Sequence, residues 1–419
     1  MSKRSLPVLE WVSAAELWLV GGAAAAAFLS SRLLPLAPIL GAAFTGLRLA
    51  RTRRLGLPTP AIWPIAGLLL MLPVTLWVTT QPEISLPQVL RLLGGMALYL
   101  AVFHWARVPA RLRLAVLGVA GAAALLAVFA VFSVEWAMGK LPFIPAWVYE
   151  RFEILVADTV HRNVMAGSLV ILLPLPLAAL VFLPWRARAW SAWYLLSCTL
   201  LAGGMLVLTQ SRGGLLALGA AGLLLAALRW RGGWLLTPLA GLIGLGGGLL
   251  LGWRRLAEFL SAGVDLGGLD GRLELWSRAL TMIRDFPFTG IGMGTFQAVV
   301  TAFYPLFLNT PEKTVHSHNL ILQIGVDLGL PGLICWLAVW GLSSRAAWLA
   351  YRNGRQAGLA WLAATGAGLL CAQAALLVHG MFDAVTWGMV RPAPLVWMLW
   401  GLAEAARACP LEAAPAEGA

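Results

Sequence analysis

His316 and His318, in the run His316-Ser317-His318-Asn319, are the residues of this sequence best suited to moving a proton near neutral pH. The ordinary pKa of imidazole lies near 6.5, so a neutral ring can take a proton from a hydroxyl as a general base. Two histidines could also hold a metal. No cysteine or carboxylate adjoins them in the sequence, however, and neighbours two apart on a helix point different ways. No metal and no cofactor is therefore expected, and a purely structural polar pair is the alternative reading. Arg212 lies in Thr209-Gln210-Ser211-Arg212-Gly213-Gly214, a short turn between apolar runs. A guanidinium at a helix N-terminus, with glycines that let a ligand reach the backbone, makes an anion site. The bland alternative is an arginine snorkelling to lipid headgroups.

Further candidates surround these. The periodicity of 273–283 predicts a helix, with Asp270 placed to cap it. Glu274 and Arg278 are four apart and read as a solvated pair. Arg272 shares the other face with Trp276 and is the better ligand. The stretch Phe286-Pro287-Phe288-Thr289-Gly290-Ile291-Gly292-Met293-Gly294 then stops the helix. Because it follows no Rossmann strand, it is not read as a dinucleotide loop. His379 and Asp383 in His379-Gly380-Met381-Phe382-Asp383, and Arg162 and Asn163 after His161, supply supporting polar groups at two more turns. Several arginines together with a histidine suit a polyanionic substrate and a proton transfer.

The elements that must position these residues follow from composition. The 419 residues are 60% hydrophobic and 11% charged, with a mean hydropathy of +0.83. A soluble domain carries roughly 25% charged residues. Repeated apolar runs of bilayer length, without alternating strand patterns, predict an all-α polytopic membrane protein. Twelve spans are expected, near 13–31, 33–50, 60–80, 88–106, 114–134, 163–183, 191–209, 214–230, 234–253, 329–345, 357–379 and 388–406. Residues 1–253 hold nine of them, 254–328 a large folded periplasmic loop with short helices and the histidine pair, and 329–407 the last three. Residues 408–419 read as a disordered cytoplasmic tail, and Met1–Glu10 as a short basic head, not a cleavable leader.

The net charge of +12 does not indicate nucleic acid, because arginines cluster in alternate turns between spans. Arg51, Arg53 and Arg54, then Arg107, Arg111 and Arg113, then Arg186 and Arg188, Arg229 and Arg231, and Arg345, Arg352 and Arg355 fall on one side. By the positive-inside rule that side and both termini are cytoplasmic. Arg162, Arg212, Arg272, His318 and Asp383 then share the outer face. Cys198, Cys335, Cys371 and Cys409 lie in or beside apolar runs without ligand spacing and read as small apolar residues. An aromatic-rich outer segment, 135–162, suits the membrane interface.

The set resembles the O-antigen ligase and polymerase superfamily of bacterial envelope glycosyltransferases. The ligase pattern of His, then Asn, Ser or Gln, nine residues, Gly, two residues and Gly, Thr or Tyr is matched by His318, Asn319, Leu320–Leu328, Gly329, Leu330-Pro331 and Gly332. The Ser211-Arg212-Gly213 turn and Arg272…Trp276…Phe286-Pro287…Gly290-Ile291-Gly292 are similar as well, and the resemblance covers roughly 160–390. It implies an inverting, metal-independent transferase with a membrane fold of the GT-C type, in the bacterial inner membrane. The implied donor is a glycan on undecaprenyl pyrophosphate, and the implied acceptor is lipid A–core or another glycan. It also implies that His318 deprotonates the acceptor hydroxyl while Arg212 and Arg272 bind the pyrophosphate. A polymerase of the same superfamily, or a bicarbonate-type transporter resembling a related branch, are the competing expectations.

Overall fold

The computed structural model describes residues 5–53, 59–136, 144–156, 159–184, 190–252, 268–308, 315–388 and 393–411. Apolar runs become helices: α1 (Ser5–Leu29), α2 (Leu36–Thr52), α3 (Ile62–Val78), α4 (Pro82–Trp105) and α5 (Pro109–Ser133). Then come α6 (Arg162–Leu172), α7 (Pro174–Phe182), α8 (Trp190–Leu208), α9 (Arg212–Arg229) and α10 (Leu236–Leu251). After α11 (Gly268–Asp285) and the short α12 (Phe296–Phe303) follow α13 (Leu320–Gln356), α14 (Ala360–Gly380) and α15 (Ala393–Arg407). Pro174 interrupts one span without breaking its line, so that α6 and α7 together cover Arg162–Phe182. A two-residue parallel bridge joins β1 (Val134–Glu135) to β2 (Val160–His161), closing the aromatic-rich segment at its base.

Among the described residues, eight segments are long and apolar enough to cross a bilayer. The expected count of twelve is larger. Trp11–Ala27, Ile62–Val78 and Gly233–Gly246 are shorter apolar helices, and α15 runs for only 15 residues. The protein is an all-α polytopic membrane protein. Its core lies where α13 packs along α14, α14 against α7 and α9, and α15 against α4. Large aliphatic and aromatic side chains such as Trp18, Trp63, Trp77, Leu125 and Leu250 stay exposed on the outside, as lipid-facing positions require.

One break in this regularity positions the site. α13 begins at Leu320 and kinks at Gly329, whose φ of 68° and ψ of −176° are not helical. The expected span start at 329 is therefore a kink inside a longer helix, and the nine residues before it form a helical arm. A kink there frees backbone groups that must be satisfied inside the protein. Leu330 turns its N–H to the Pro287 carbonyl at 2.7 Å, and Val326 O accepts instead from Ile291 N–H at 2.9 Å. Pro331 has no N–H for the Asp327 carbonyl, which accepts from the Thr75 hydroxyl at 3.2 Å. The glycine turn after α11 is thus the structural complement of a broken helix. A side chain at Gly290 would meet the Asp327 carbonyl at 2.6 Å, and one at Gly329 the Phe288 backbone at 2.8 Å. Both residues have positive φ, which glycine tolerates.

Two expectations in this region are corrected. Asp270 lies within the first turn of α11, which starts at Gly268, and does not precede the helix. Glu274 and Arg278 both turn to the 305–308 segment, so Arg278 is not simply a solvated partner. Glu274 accepts from the Leu308 amide at 3.1 Å, and Arg278 Nε donates to the Pro305 carbonyl at 3.1 Å. The segment competes successfully because its backbone groups have no helical partner of their own. Residues 254–267 and 309–314 of the expected outer loop, and 412–419 of the expected tail, lie outside the described residues.

Candidate active site

The His316–Asn319 run is a turn held from three directions. Asn319 caps α13, its side chain accepting from Leu322 N–H at 3.1 Å. Ser317, fully buried, donates its N–H to Gln323 Oε1 at 2.8 Å and its hydroxyl to the Asn319 carbonyl at 3.0 Å. His318 N–H donates to His316 Nδ1 at 3.1 Å. These bonds keep His318 at a φ of 51°, a left-handed conformation costing a side-chain-bearing residue roughly 1–3 kcal/mol. The two imidazoles lie with ring centroids 4.0 Å apart.

Asp383 faces them from the turn after α14. Its Oδ1 lies 3.4 Å from His316 Nε2 and 3.8 Å from His318 Nδ1, and accepts from Ala384 N–H at 2.9 Å. Its Oδ2 accepts from Asn163 Nδ2 at 2.9 Å. α6 reaches this point because the His161 ring caps it, accepting from Asn163 N–H. Arg162, the first residue of α6, is buried beside it. His379, in the last turn of α14, is buried against Gly167, where a side-chain carbon would lie 3.0 Å from its Cε1.

The arginines arrive from two other elements. Arg272, only 5% exposed, places its guanidinium 5.7 Å from the centre of the Phe382 ring. Its Nε is buried with no hydrogen-bond partner among the described residues. An orphaned buried donor of this kind is an unmet demand for an acceptor. Phe382 also meets the first turn of α9: a side chain at Gly213 would lie 3.3 Å from Phe382 Cβ. Arg212 opens α9 behind the Ser211 cap, whose hydroxyl accepts from Gly214 N–H at 3.3 Å. Gln210, at a φ of 53°, donates to the Tyr149 hydroxyl at 2.7 Å and ties this turn to the aromatic-rich segment.

His316, His318, Asn163 and Asp383 therefore meet in one place, Arg272 reaches the same turn at Phe382, His379 lies one helical turn before Asp383, Asn319 and Arg162 adjoin the cluster in sequence, and Arg212 precedes Gly213, which faces Phe382. Arg278 points instead to the 305–308 segment. Sequence reasoning missed Gln323 and Asp327. Gln323 Nε2 donates to Asp327 Oδ1 at 2.9 Å, and Trp387 Nε1 donates to Asp327 Oδ2 at 2.8 Å. This buried chain links the histidine turn to the kink and to the glycine turn, whose Gly294 N–H also reaches Asp327. Polar residues four apart within an otherwise apolar helix were the available signal. Phe382 and Tyr149 had no signal beyond aromaticity.

Electrostatics separates the roles. Burial, assisted by neighbouring His316, lowers His318 from the ordinary imidazole range to about 3, with Asp383 opposing. Burial also lowers His316, again against Asp383. Burial pushes the Asp383 carboxyl up, but the imidazoles of His316, His318, His379 and His161 outweigh it and hold the group below its ordinary value. Burial lowers Arg272, with Asp383 compensating in part. The cluster thus holds neutral imidazoles beside a carboxylate and a buried guanidinium at neutral pH.

The expectation that no carboxylate adjoins the histidines is corrected, since chain reversal after α14 brings Asp383 to them. His316, His318 and Asp383 offer ligand atoms all within 4.8 Å of one another. Their hydrogen bonding does not fit a metal. His316 Nδ1 is occupied by an amide N–H, so its ring proton sits on Nε2, the atom that faces Asp383. Binding a cation there would require an imidazolate. Asp383 stands 3.4 Å from His316 Nε2 and 3.8 Å from His318 Nδ1, a carboxylate beside two rings with His318 Nδ1 left without a hydrogen-bond partner among the described residues.

Residues 197–337 match the O-antigen ligase family model, a segment containing Arg212, Arg272, His316 and His318 but ending before His379 and Asp383. No curated protein matches the chain. The 197–337 segment of this integral membrane protein is thus similar to the O-antigen ligase family.

Proposed function

We propose that the protein transfers a glycan from undecaprenyl pyrophosphate to an acceptor hydroxyl, with inversion and without a metal ion, at the periplasmic face of the inner membrane. The acceptor is lipid A–core in the ligase reading, or a second glycan in the polymerase reading. The observation that carries the proposal is the meeting of neutral His318, anionic Asp383 and buried Arg272 with its unmet donor. In this reading residues 1–253 and 329–407 form the membrane part, 254–328 lies outside, and both termini, including 408–419, are cytoplasmic.

The chemistry follows from the atoms present. Arg272 and Arg212 take the pyrophosphate oxygens, offering the positive charge a departing pyrophosphate requires. His318, with Nδ1 toward Asp383, presents Nε2 as the base. As the acceptor oxygen attacks the anomeric carbon, its proton passes to Nε2 and the anomeric carbon–oxygen bond to phosphate breaks. Polyprenyl pyrophosphate leaves with the electron pair. Asp383 stabilises the imidazolium, and His316 and Asn163 hold Asp383 in place.

The proposal is tested with purified protein, a polyprenyl-pyrophosphate glycan, and lipid A–core or glycan acceptors, in the presence of EDTA. The expected result is a transferred glycan of inverted anomeric configuration, with one polyprenyl pyrophosphate released per transfer. A retained configuration, or dependence on a divalent ion, would reject this mechanism.

The pH dependence provides a second test. A depressed pKa keeps His318 in its base form as pH falls through the ordinary range. The acidic limb of kcat/KM, which reports the free enzyme, is expected well below pH 6.5. A limb at or above the ordinary imidazole value would contradict the buried, Arg272-flanked environment.

A further inference from the structure

A second feature lies at the far end of the same helices. α14 carries His379 in its last turn and is 21 residues long, so its first turn lies about 30 Å away along the axis. There the turn Gly358-Leu359, the start of α14 and the start of α5 enclose an open cavity of about 350 Å³. Leu112, Leu362 and Cys409 form its buried apolar walls. Among the described residues, Arg113 is the single charged one lining it, and its guanidinium lies 5.1 Å from the centre of the Trp361 ring. A side chain added at Gly358 would meet nothing within 4 Å, so this turn leaves the mouth open.

We propose that this cavity binds an acidic phospholipid of the leaflet opposite the active site. Apolar walls suit the glycerol and first acyl carbons, while a guanidinium held over an indole offers a fork of donors to one phosphate. The charge around the mouth has the matching sign. Arg107 and Arg111 precede and begin α5, Arg352 and Arg355 precede Gly358, and among the described residues no acidic one lines the cavity. Basic pockets between helix ends on the cytoplasmic side are the ordinary place for anionic headgroups. This inference does not depend on the glycan-transfer reading.

The experiment is native mass spectrometry of the full-length protein released from detergent, titrated with phosphatidylglycerol and, separately, with phosphatidylcholine. Phosphatidylglycerol is expected to remain bound and phosphatidylcholine to dissociate. Arg113→Ala is expected to weaken phosphatidylglycerol binding about tenfold, the value of one charge-assisted contact of about 1.4 kcal/mol. Ala110→Trp, which fills the mouth and keeps the charge, should do the same. Arg284→Ala, in α11 and outside the lining, should not. Equal binding by Arg113→Ala and wild type, or equal retention of the two lipids, would overturn the proposal. The chain end carries Glu412 and Glu417, a competing occupant of matching charge. If phosphatidylglycerol bound only after deletion of 412–419, the tail would be the natural occupant and the lipid site would be rejected.

Discussion

Replacing His318 by alanine is expected to lower glycan transfer by roughly 10²–10⁴-fold, the usual contribution of a positioned general base. The loss follows from geometry, because no other imidazole stands where His318 does. His316 Nδ1 is taken by an amide N–H, and its Nε2 faces Asp383. His379 lies buried against Gly167. A second variant separates chemistry from folding. Asparagine tolerates the left-handed backbone that His318 adopts, so His318→Asn keeps the turn while removing the base. Both variants are expected to run as folded protein on size exclusion, with wild-type thermal stability in detergent, and to release almost no product. Transfer at the wild-type rate by either would remove His318 from the mechanism.

Arg272→Ala is expected to cost roughly 10²–10³-fold in transfer, comparable to removing a donor aimed at developing charge. Arg272 is buried beside Phe382 with an unmatched Nε, and among the described residues Asp383 is the carboxylate that acts on its guanidinium. Arg272→Lys should fall between, since an ammonium keeps the charge but loses the planar fork and the ring contact. Titrations distinguish this role from a structural one. Burial is the main reason His316 and His318 lie below the ordinary imidazole value, and the Arg272 cation adds to it. Its removal lets both rise, so the acidic limb of kcat/KM should move to higher pH in Arg272→Ala. A variant of wild-type donor KM and unmoved limb would show that the guanidinium does not face the reacting groups.

Much of the fold could be read before any coordinates, because helices in lipid must satisfy their own backbone and so announce themselves as apolar runs. The local meaning of Asn319 and Ser211 as caps is of the same kind, written in adjacent residues. The identity of the polar residues at the site was legible because charge is scarce in such a chain. Their contacts were not. Asp383 reaches His316 only because α14 returns beside α13 and ends at the right height, a property of long-range packing and not of spacing. The same holds for Arg278, where i,i+4 spacing suggested Glu274 as partner. Unpaired backbone groups at 305–308 engage both side chains instead. The glycine-rich turn is the clearest case. Its pattern alone resembles many loops, yet its glycines are required by the close approach to the Gly329 kink. The Gln323–Asp327 chain was hidden because a buried carboxylate with three donors is indistinguishable in sequence from an exposed one.

The central claim is that one pocket gathers the guanidinium for pyrophosphate and the imidazole for the acceptor proton. A structure of the protein with a non-transferable polyprenyl-pyrophosphate glycan analogue tests it most directly. The account predicts pyrophosphate oxygens within hydrogen-bond distance of Arg272 and Arg212, and an anomeric carbon whose free face looks toward His318 Nε2. Pyrophosphate density held elsewhere, or a sugar turned away from that nitrogen, would contradict it.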